Sequence, residues 1–346
     1  MHTLYGDIKI EEVCFMKNGH LFRPFSVSAK VYCKCYSFYL QKIIIDFGAD
    51  LSFEEASKKI KYHYRIDVQA NTIRKITEQH AKKVFTTSKK PSIKSSKKII
   101  AEVDGSMVPI VNIDSNSKGD KRKNKKTFWK EAKLCFAKEF GRIDKHYACV
   151  IGSPEEAGKK LYECVLQSGL GDNTKIHGLG DGALWIADQM EDKFGPQVNF
   201  LIDFYHLCEY LSEASVWADV LNSKKWFSKQ KEKLKAGKAK EVLEEIKIKI
   251  DKFKNLKKDN ALVKCYFYMK KRMKYFDYKS ALEQGLPIGS GEIESAHRYV
   301  IQQRLKIPGA WWKKENAIAM INLRIARLNG VLEDYWEEEM KKKRAA

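Results

Sequence analysis

Three acids set in apolar stretches could do metal-dependent chemistry on a phosphodiester. They are Asp104 in EVDGS, Asp181 in GLGDGALWI, and a glutamate of GSGEIES, where Glu292 and Glu294 compete. Such cleavage needs carboxylates from several elements converging on one point, because two ions must sit about 3.5–4 Å apart around an in-line displacement. Clustered carboxylates repel and push each other's pKa upward, and a divalent cation relieves this. Oxygen-only ligands favour Mg²⁺, or Mn²⁺, over zinc. Each acid also has a plainer reading. Asp104-Gly105 and Asp181-Gly182 are the dipeptides of tight hairpin turns, and a glutamate near a helix N-terminus is favoured by the dipole alone.

The elements that must hold these acids follow from hydropathy periods. KIIAEVDGSMVPIV reads as a β-branched strand with Asp104 in its middle, and WKEAKLCFAKEF and HYACVIG are the next two strands. SPEEAGKKLYECVLQSG is a helix with a Ser153/Glu156 capping box. KIHGLGDGALWI supplies strand four, IADQMEDKF a helix, and QVNFLIDFYHLCEYL strand five running into another helix. Three antiparallel strands followed by alternating helix and strand is the order of a ribonuclease H-like α/β sheet. This domain is expected over 99–210 and 281–335. The Lys/Glu-rich stretch 211–280, with Val242, Ile246, Ile250 and Phe253 at helical spacing, interrupts it as a helical insertion.

Upstream, residues 1–45 read as a β-rich segment. Residues 46–85 read as two helices. The first starts at a Ser52/Glu55 capping box and buries Phe53, Ala56 and Ile60. The second is capped by Asn71 and buries Ile73, Ile76, Thr77, His80 and Val84, with Arg74 and Lys75 outward. The pair resembles a DNA-binding helix-turn-helix and equally fits a plain helical hairpin with a solvated basic face. Residues 86–98, rich in Ser, Lys and Pro, form a basic linker.

Charge narrows the partners. Lys and Arg outnumber Asp and Glu by 65 to 44, a formal net charge of +21, which calls for a polyanion. No apolar run approaches the roughly 18 residues of a membrane span, and no secretory signal layout opens the chain. Double-stranded DNA and a cytoplasmic, nucleoid-associated location are therefore expected, with the basic loop carrying Lys121, Arg122 and Lys123 gripping phosphates. The eight cysteines form no C-x-x-C pair and are expected as reduced, mostly buried thiols.

The words EVDGS, GDGALWI, DFYHLCEYL, GSGEIES and QQRLKIPGAWW, with LRIARLNG and YW behind them, resemble the DDE-type insertion-sequence transposases, most closely the Kra group. The resemblance runs from about residue 4 to Trp336. It implies Asp104, Asp181 and Glu294 as the metal-binding catalytic triad, with two Mg²⁺ or Mn²⁺ ions per site. Glu294 is preferred over Glu292 on the family's S-G-x-x-E spacing. The family's D-x-x-H word implies supporting roles for Asp203 and His206, with Asp203 the rival of Asp181 as second ligand. Helical spacing sets His297 and Arg298 beside Glu294, where Arg298 could meet a DNA phosphate or pair with Glu294. Trp311 and Trp312, amid lysines, suit stacking on a DNA base or packing in the core.

The activity so implied is cutting at element ends, with water activated between Asp104 and Asp181, then attack of the freed 3′-hydroxyl on target DNA. The protein would act as a homo-oligomer on DNA. Two rivals share these residues: a nuclease or resolvase without strand transfer, and a catalytically silent DNA-binding remnant. Relatives in that group carry more sequence upstream and a cysteine knuckle. Here VCFMKNGH keeps one cysteine, which leaves a zinc knuckle unsupported and allows an N-terminally shortened copy.

Overall fold

A computed structural model describes residues 1–29, 36–86, 94–113, 125–253 and 256–341. Lys121, Arg122 and Lys123, and most of the expected linker, lie outside the described residues.

The amino-terminal part holds two small hairpins, β1 (His2–Thr3) with β2 (Gly6–Asp7) and β3 (Phe15–Lys17) with β4 (His20–Phe22), then the short helix α1 (Pro24–Ser28). Three helices follow: α2 (Phe38–Asp50), α3 (Phe53–Tyr64) and α4 (Ala70–Ala81). The apolar run LQKIIIDFG therefore lies in a helix of its own, and the expected helical pair is part of a three-helix unit. Ser52 caps α3 through Glu55 N–H. Asn71 does not cap α4. The N-cap is Gln69, and Asn71 Oδ1 instead accepts from Arg74 within the first turn. Gly48 lets α2 approach α4 closely, since a Cβ there would overlap the Thr77 hydroxyl.

The central sheet has five strands: β5 (Lys98–Ile113), β6 (Lys125–Glu139), β7 (His146–Val150), β8 (Lys175–Gly180) and β9 (Val198–Ile202), in the spatial order β7-β6-β5-β8-β9. β5, β6 and β7 are antiparallel neighbours, while β8 joins β5, and β9 joins β8, in parallel. This is the mixed α/β sheet expected from the strand pattern. The parallel crossovers are made by α5 (Pro154–Gln167) and α6 (Leu184–Phe194), which supply the chain length such connections need. Ser153 and Glu156 form the full reciprocal capping box at the start of α5.

Side chains alternate across the sheet. Cys135 of β6, paired with Val103 of β5, turns toward α5 and donates its thiol to Ala157 O. Glu102 and Asp104 turn to the other face, which is covered by α12 (Gly291–Ala296) and α14 (Lys314–Leu328). After β9 the chain runs through α7 (Phe204–Ala218), α8 (Ser223–Lys235), α9 (Ala239–Asp251), α10 (Ala261–Lys271) and α11 (Tyr278–Glu283) before α12. α12 continues through a π-helical turn, His297–Gln302, into α13 (Gln303–Leu305), and α15 (Leu332–Lys341) closes the fold.

Buried polar contacts tie the three-helix unit to the carboxy-terminal helices. Arg324 of α14 donates to Ala49 O and Asp50 Oδ1, both at 2.6 Å, and Arg304 donates to Gly48 O. The buried His80 lies between Gln41 and Tyr335. Gln41 uses its amide N–H on Tyr36 O, so its carbonyl faces His80 and fixes the donor on Nε2, leaving Nδ1 to accept from the Tyr335 hydroxyl. Burial holds this neutral imidazole down at about 4. No helix among the described residues is long and apolar enough to cross a membrane. Of the described cysteines only Cys14 is exposed, and all are free thiols.

Candidate active site

The register of the parallel strands aligns the acids. Glu102 pairs with Leu179, so Asp104 and Asp181, each two residues further on, occupy one row, Asp104 within β5 just past the end of its pairing with β8 and Asp181 directly after β8. Gly180 pairs with Ile202, which puts Asp203 next in that row, one residue beyond β9. Open α/β sheets bind their ligands beyond the carboxyl ends of their strands, where loops diverge and leave a crevice. The three aspartates reach this place in different states.

Asp104 is part-buried. Its Oδ1 accepts from the Gly105 N–H, and its Oδ2 lies 3.1 Å from Nε2 of the buried His297. That approach is off the angle a hydrogen bond requires, and among the described residues both His297 ring nitrogens lack a hydrogen-bond partner. His297 is the first residue of the π turn, a distortion that often marks functional sites.

Asp181 directly follows β8, and its Oδ1 accepts from the Ala183 N–H at 2.8 Å. Among the described residues, Oδ2 carries no hydrogen bond. Gly182 is indeed a turn residue, with φ +87°, so the Asp-Gly pair serves as a strand-to-helix turn and leaves one carboxylate oxygen unengaged.

Asp203 is 1% exposed and fully engaged. As N-cap of α7 its Oδ1 accepts from Tyr205 N–H at 2.6 Å and His206 N–H at 2.9 Å. Its Oδ2 accepts from the Ser290 N–H at 2.5 Å and the Ser290 hydroxyl at 2.6 Å. Ser290 is the N-cap residue of α12 but its side chain does not cap the helix, because that hydroxyl is spent on Asp203. Asp203 ties β9 and α7 to the start of the helix bearing Glu294.

Two further carboxylates fix that helix against the sheet. Glu102, 1% exposed, accepts from the Ile293 N–H at 2.8 Å, and burial raises its carboxyl to about 8. Glu292 meets Lys138 of β6 at 2.8 Å and Lys145 at 2.5 Å. Burial works to raise the Glu292 carboxyl, but the two lysines outweigh it and hold the group below its usual value. Glu294 has no lysine partner among the described residues. Burial, joined by the negative charges of Asp203, Asp104 and Glu209, pushes it up against a weaker opposing pull from His206. Glu292 is therefore a docking group, whereas Glu294 lies near enough to Asp203, Asp104 and Glu209 to feel their charges.

Other expected site residues spread out. His206 lies 3.4 Å from Glu209 on α7, near enough to influence Glu294. Arg298 is exposed and makes no ion pair with Glu294 among the described residues. Trp311 is 40% exposed with the Lys125 ammonium over its ring, whereas Trp312 is 4% exposed. The reading of Trp312 as a DNA-stacking residue is corrected: its ring packs under Arg304 and its carbonyl accepts from Val111, so it belongs to the core. Arg74 is engaged by Glu78 and Asn71 along α4, while Lys75 is exposed on the surface. Among the described residues, no three of His, Cys, Asp or Glu converge tightly enough to hold one ion unaided.

Sequence reasoning missed Glu102, although its position two residues before Asp104 on one strand face was a usable signal. It also missed Tyr268 and Arg272 of the insertion, which contact the Asp181-Gly182 main chain from nearly ninety residues away.

The site is thus a row of acids across adjacent strands of a mixed α/β sheet. The model of UPF0236, described as an uncharacterised protein family, matches residues 51–344, and the chain belongs to that family. It is 24% identical over 309 residues to the "UPF0236 protein in vanSb 3′ region" of Streptococcus gallolyticus, covering 86% of this chain and 65% of that protein's length. Among solved structures, the Drosophila P element transposase strand transfer complex aligns over 94% of this chain and 83% of that one. At 11% identity and a TM-score of 0.31, that alignment carries no weight here.

Proposed function

We propose that this chain is a DDE-type DNA transposase with a ribonuclease H-like catalytic domain, using Asp104, Asp181 and Glu294 for metal-dependent phosphodiester chemistry. The observation that carries the reading is the split within the acid row. Asp104 and Asp181 share one register row with oxygens left over, and Glu294 has its pKa raised by burial and by the charges of Asp203 and Asp104, while Asp203 and Glu292 are spent on structure.

The donor set fits a hard divalent cation, since all three groups are carboxylates. Asp104 with Asp181, and Asp104 with Glu294, would hold the ions. Mg²⁺ is ordinarily bound by one or two carboxylates, with water and substrate phosphate completing its shell, so a pair of acids per ion suffices. Mg²⁺ or Mn²⁺ bound there would polarise the scissile phosphate and neutralise charge that builds in the transition state. Glu102, Asp203 and Glu292 keep the Glu294 helix against β5. His297 lies beside Asp104 Oδ2, 3.1 Å away.

The partner would be double-stranded DNA, matching the +21 charge, with Lys75 and Trp311 among the contacts and a homo-oligomer as the working form. Affinity would fall steeply with salt as counterions are displaced. The test incubates the protein with DNA carrying the ends of its encoding element, plus target plasmid and Mg²⁺. Strand-joined products are expected. Cut ends that never join would overturn the transposase reading in favour of a nuclease, and metal-independent binding without cutting would overturn the enzymatic reading altogether.

A further inference from the structure

The helical insertion reaches the acid row at one place. β8 ends at Gly180 and α6 begins at Leu184, so the carbonyls of Asp181 and Gly182 belong to neither the strand ladder nor the helix. Both are satisfied from α10. The Tyr268 hydroxyl donates to Asp181 O at 2.8 Å, and Arg272, just past the end of α10, donates through Nε to Gly182 O at 2.6 Å.

The two donors are themselves braced. The Arg272 guanidinium lies 4.2 Å from the Tyr268 ring centroid, and Tyr268 stacks on Tyr210 of α7 at 4.1 Å. Gly182 closes the fit, because a Cβ there would overlap the Tyr268 hydroxyl. A two-residue turn with one positive φ has several ways to aim its aspartate, and these two hydrogen bonds choose one.

We propose that Tyr268 and Arg272 are positioning residues that clamp the Asp181-Gly182 main chain and so aim the Asp181 carboxylate at the ion it shares with Asp104. The inference rests on the assignment of Asp181 as a metal ligand. The insertion then acts on the site itself, because its docking state sets the metal affinity.

The test measures Mn²⁺ binding to the full chain by electron paramagnetic resonance, without DNA, beside Mn²⁺-dependent nicking of supercoiled plasmid. Asp181→Asn checks the underlying assignment. Tyr268→Phe and Arg272→Met check the clamp, each expected to raise the Mn²⁺ Kd by about 10-fold, the lower end of what losing an outer-shell partner costs a metal site. Thermal melting should stay near that of the wild type. Arg272→Lys keeps the charge but lacks the Nε donor and should not restore binding. If Asp181→Asn binds Mn²⁺ like the wild type, the ligand assignment fails. If Asp181→Asn is impaired while Tyr268→Phe and Arg272→Met bind normally, the clamp alone is overturned. Should Arg272→Met melt early, Tyr268→Phe, which removes one oxygen, decides.

Discussion

Asp181 and Asp203 stand side by side at the ends of β8 and β9, one row and one sheet, yet they are different groups chemically. Asp203 is buried and accepts four hydrogen bonds. Asp181 is part-buried, accepts one, and keeps Oδ2 unengaged among the described residues. The same contrast recurs on α12, where Glu292 is held by two lysines and Glu294 by none. In each pair one carboxylate is consumed by the fold: Asp203 and Glu292 both fix the helix that carries Glu294. What separates a structural acid from a reagent here is how many of its lone pairs the protein has already used.

The comparison can be broken most easily at Asp181. Asp181→Asn keeps the turn and the Ala183 contact, so strand cutting should fall by about 10³-fold, roughly 4 kcal/mol of lost transition-state stabilisation, with melting unchanged. A cutting assay alongside calorimetry checks both halves. Asp203→Ala should behave in the opposite way. Four donors lose their acceptor in a buried place, and urea unfolding should register a loss of about 3–5 kcal/mol. An Asp203→Ala protein as stable as the wild type would erase the distinction.

Glu292→Gln sharpens it on a smaller scale. Its folded pKa is lowered, so its ion pairs stabilise the fold above the unfolded carboxylate value and are lost as pH falls through the folded value. With about a third of its side chain exposed, solvent screening limits the effect to under about 1 kcal/mol. The stability gap between wild type and Glu292→Gln should be present at neutral pH and vanish in acid. Glu294→Gln, by contrast, should leave stability unchanged or slightly higher, because it removes a charge that its neighbours disfavour.

Much of this was legible in local pattern. The β-branched run around Asp104, the alternation of strand and helix from β7 to β9, and the Ser153/Glu156 box all report short-range physics, and the structure follows them. The helix α2 was hidden because its apolar stretch, alone, has no period that separates a short helix from a buried strand. Asn71 looked like a cap because it stands before an apolar stripe, but the helix had already begun at Ala70. The division of labour among the acids was not legible in local spacing; only the family resemblance ranked them. Asp203 is saturated by Ser290, 87 positions away; Glu292 is claimed by lysines some 150 positions away; and Asp181 is framed by Tyr268 and Arg272 across about 90. Partners at such separations leave no mark on local spacing, whereas Glu102, two residues from Asp104, did.

The central claim is that Asp181, not Asp203, shares a divalent ion with Asp104. Anomalous diffraction from crystals grown with Mn²⁺ tests it directly. The account predicts a manganese peak in contact with carboxylate oxygens of Asp104 and Asp181, with the four hydrogen bonds to Asp203 intact. A peak coordinated by Asp203, or none beside Asp104 at saturating Mn²⁺, would contradict it.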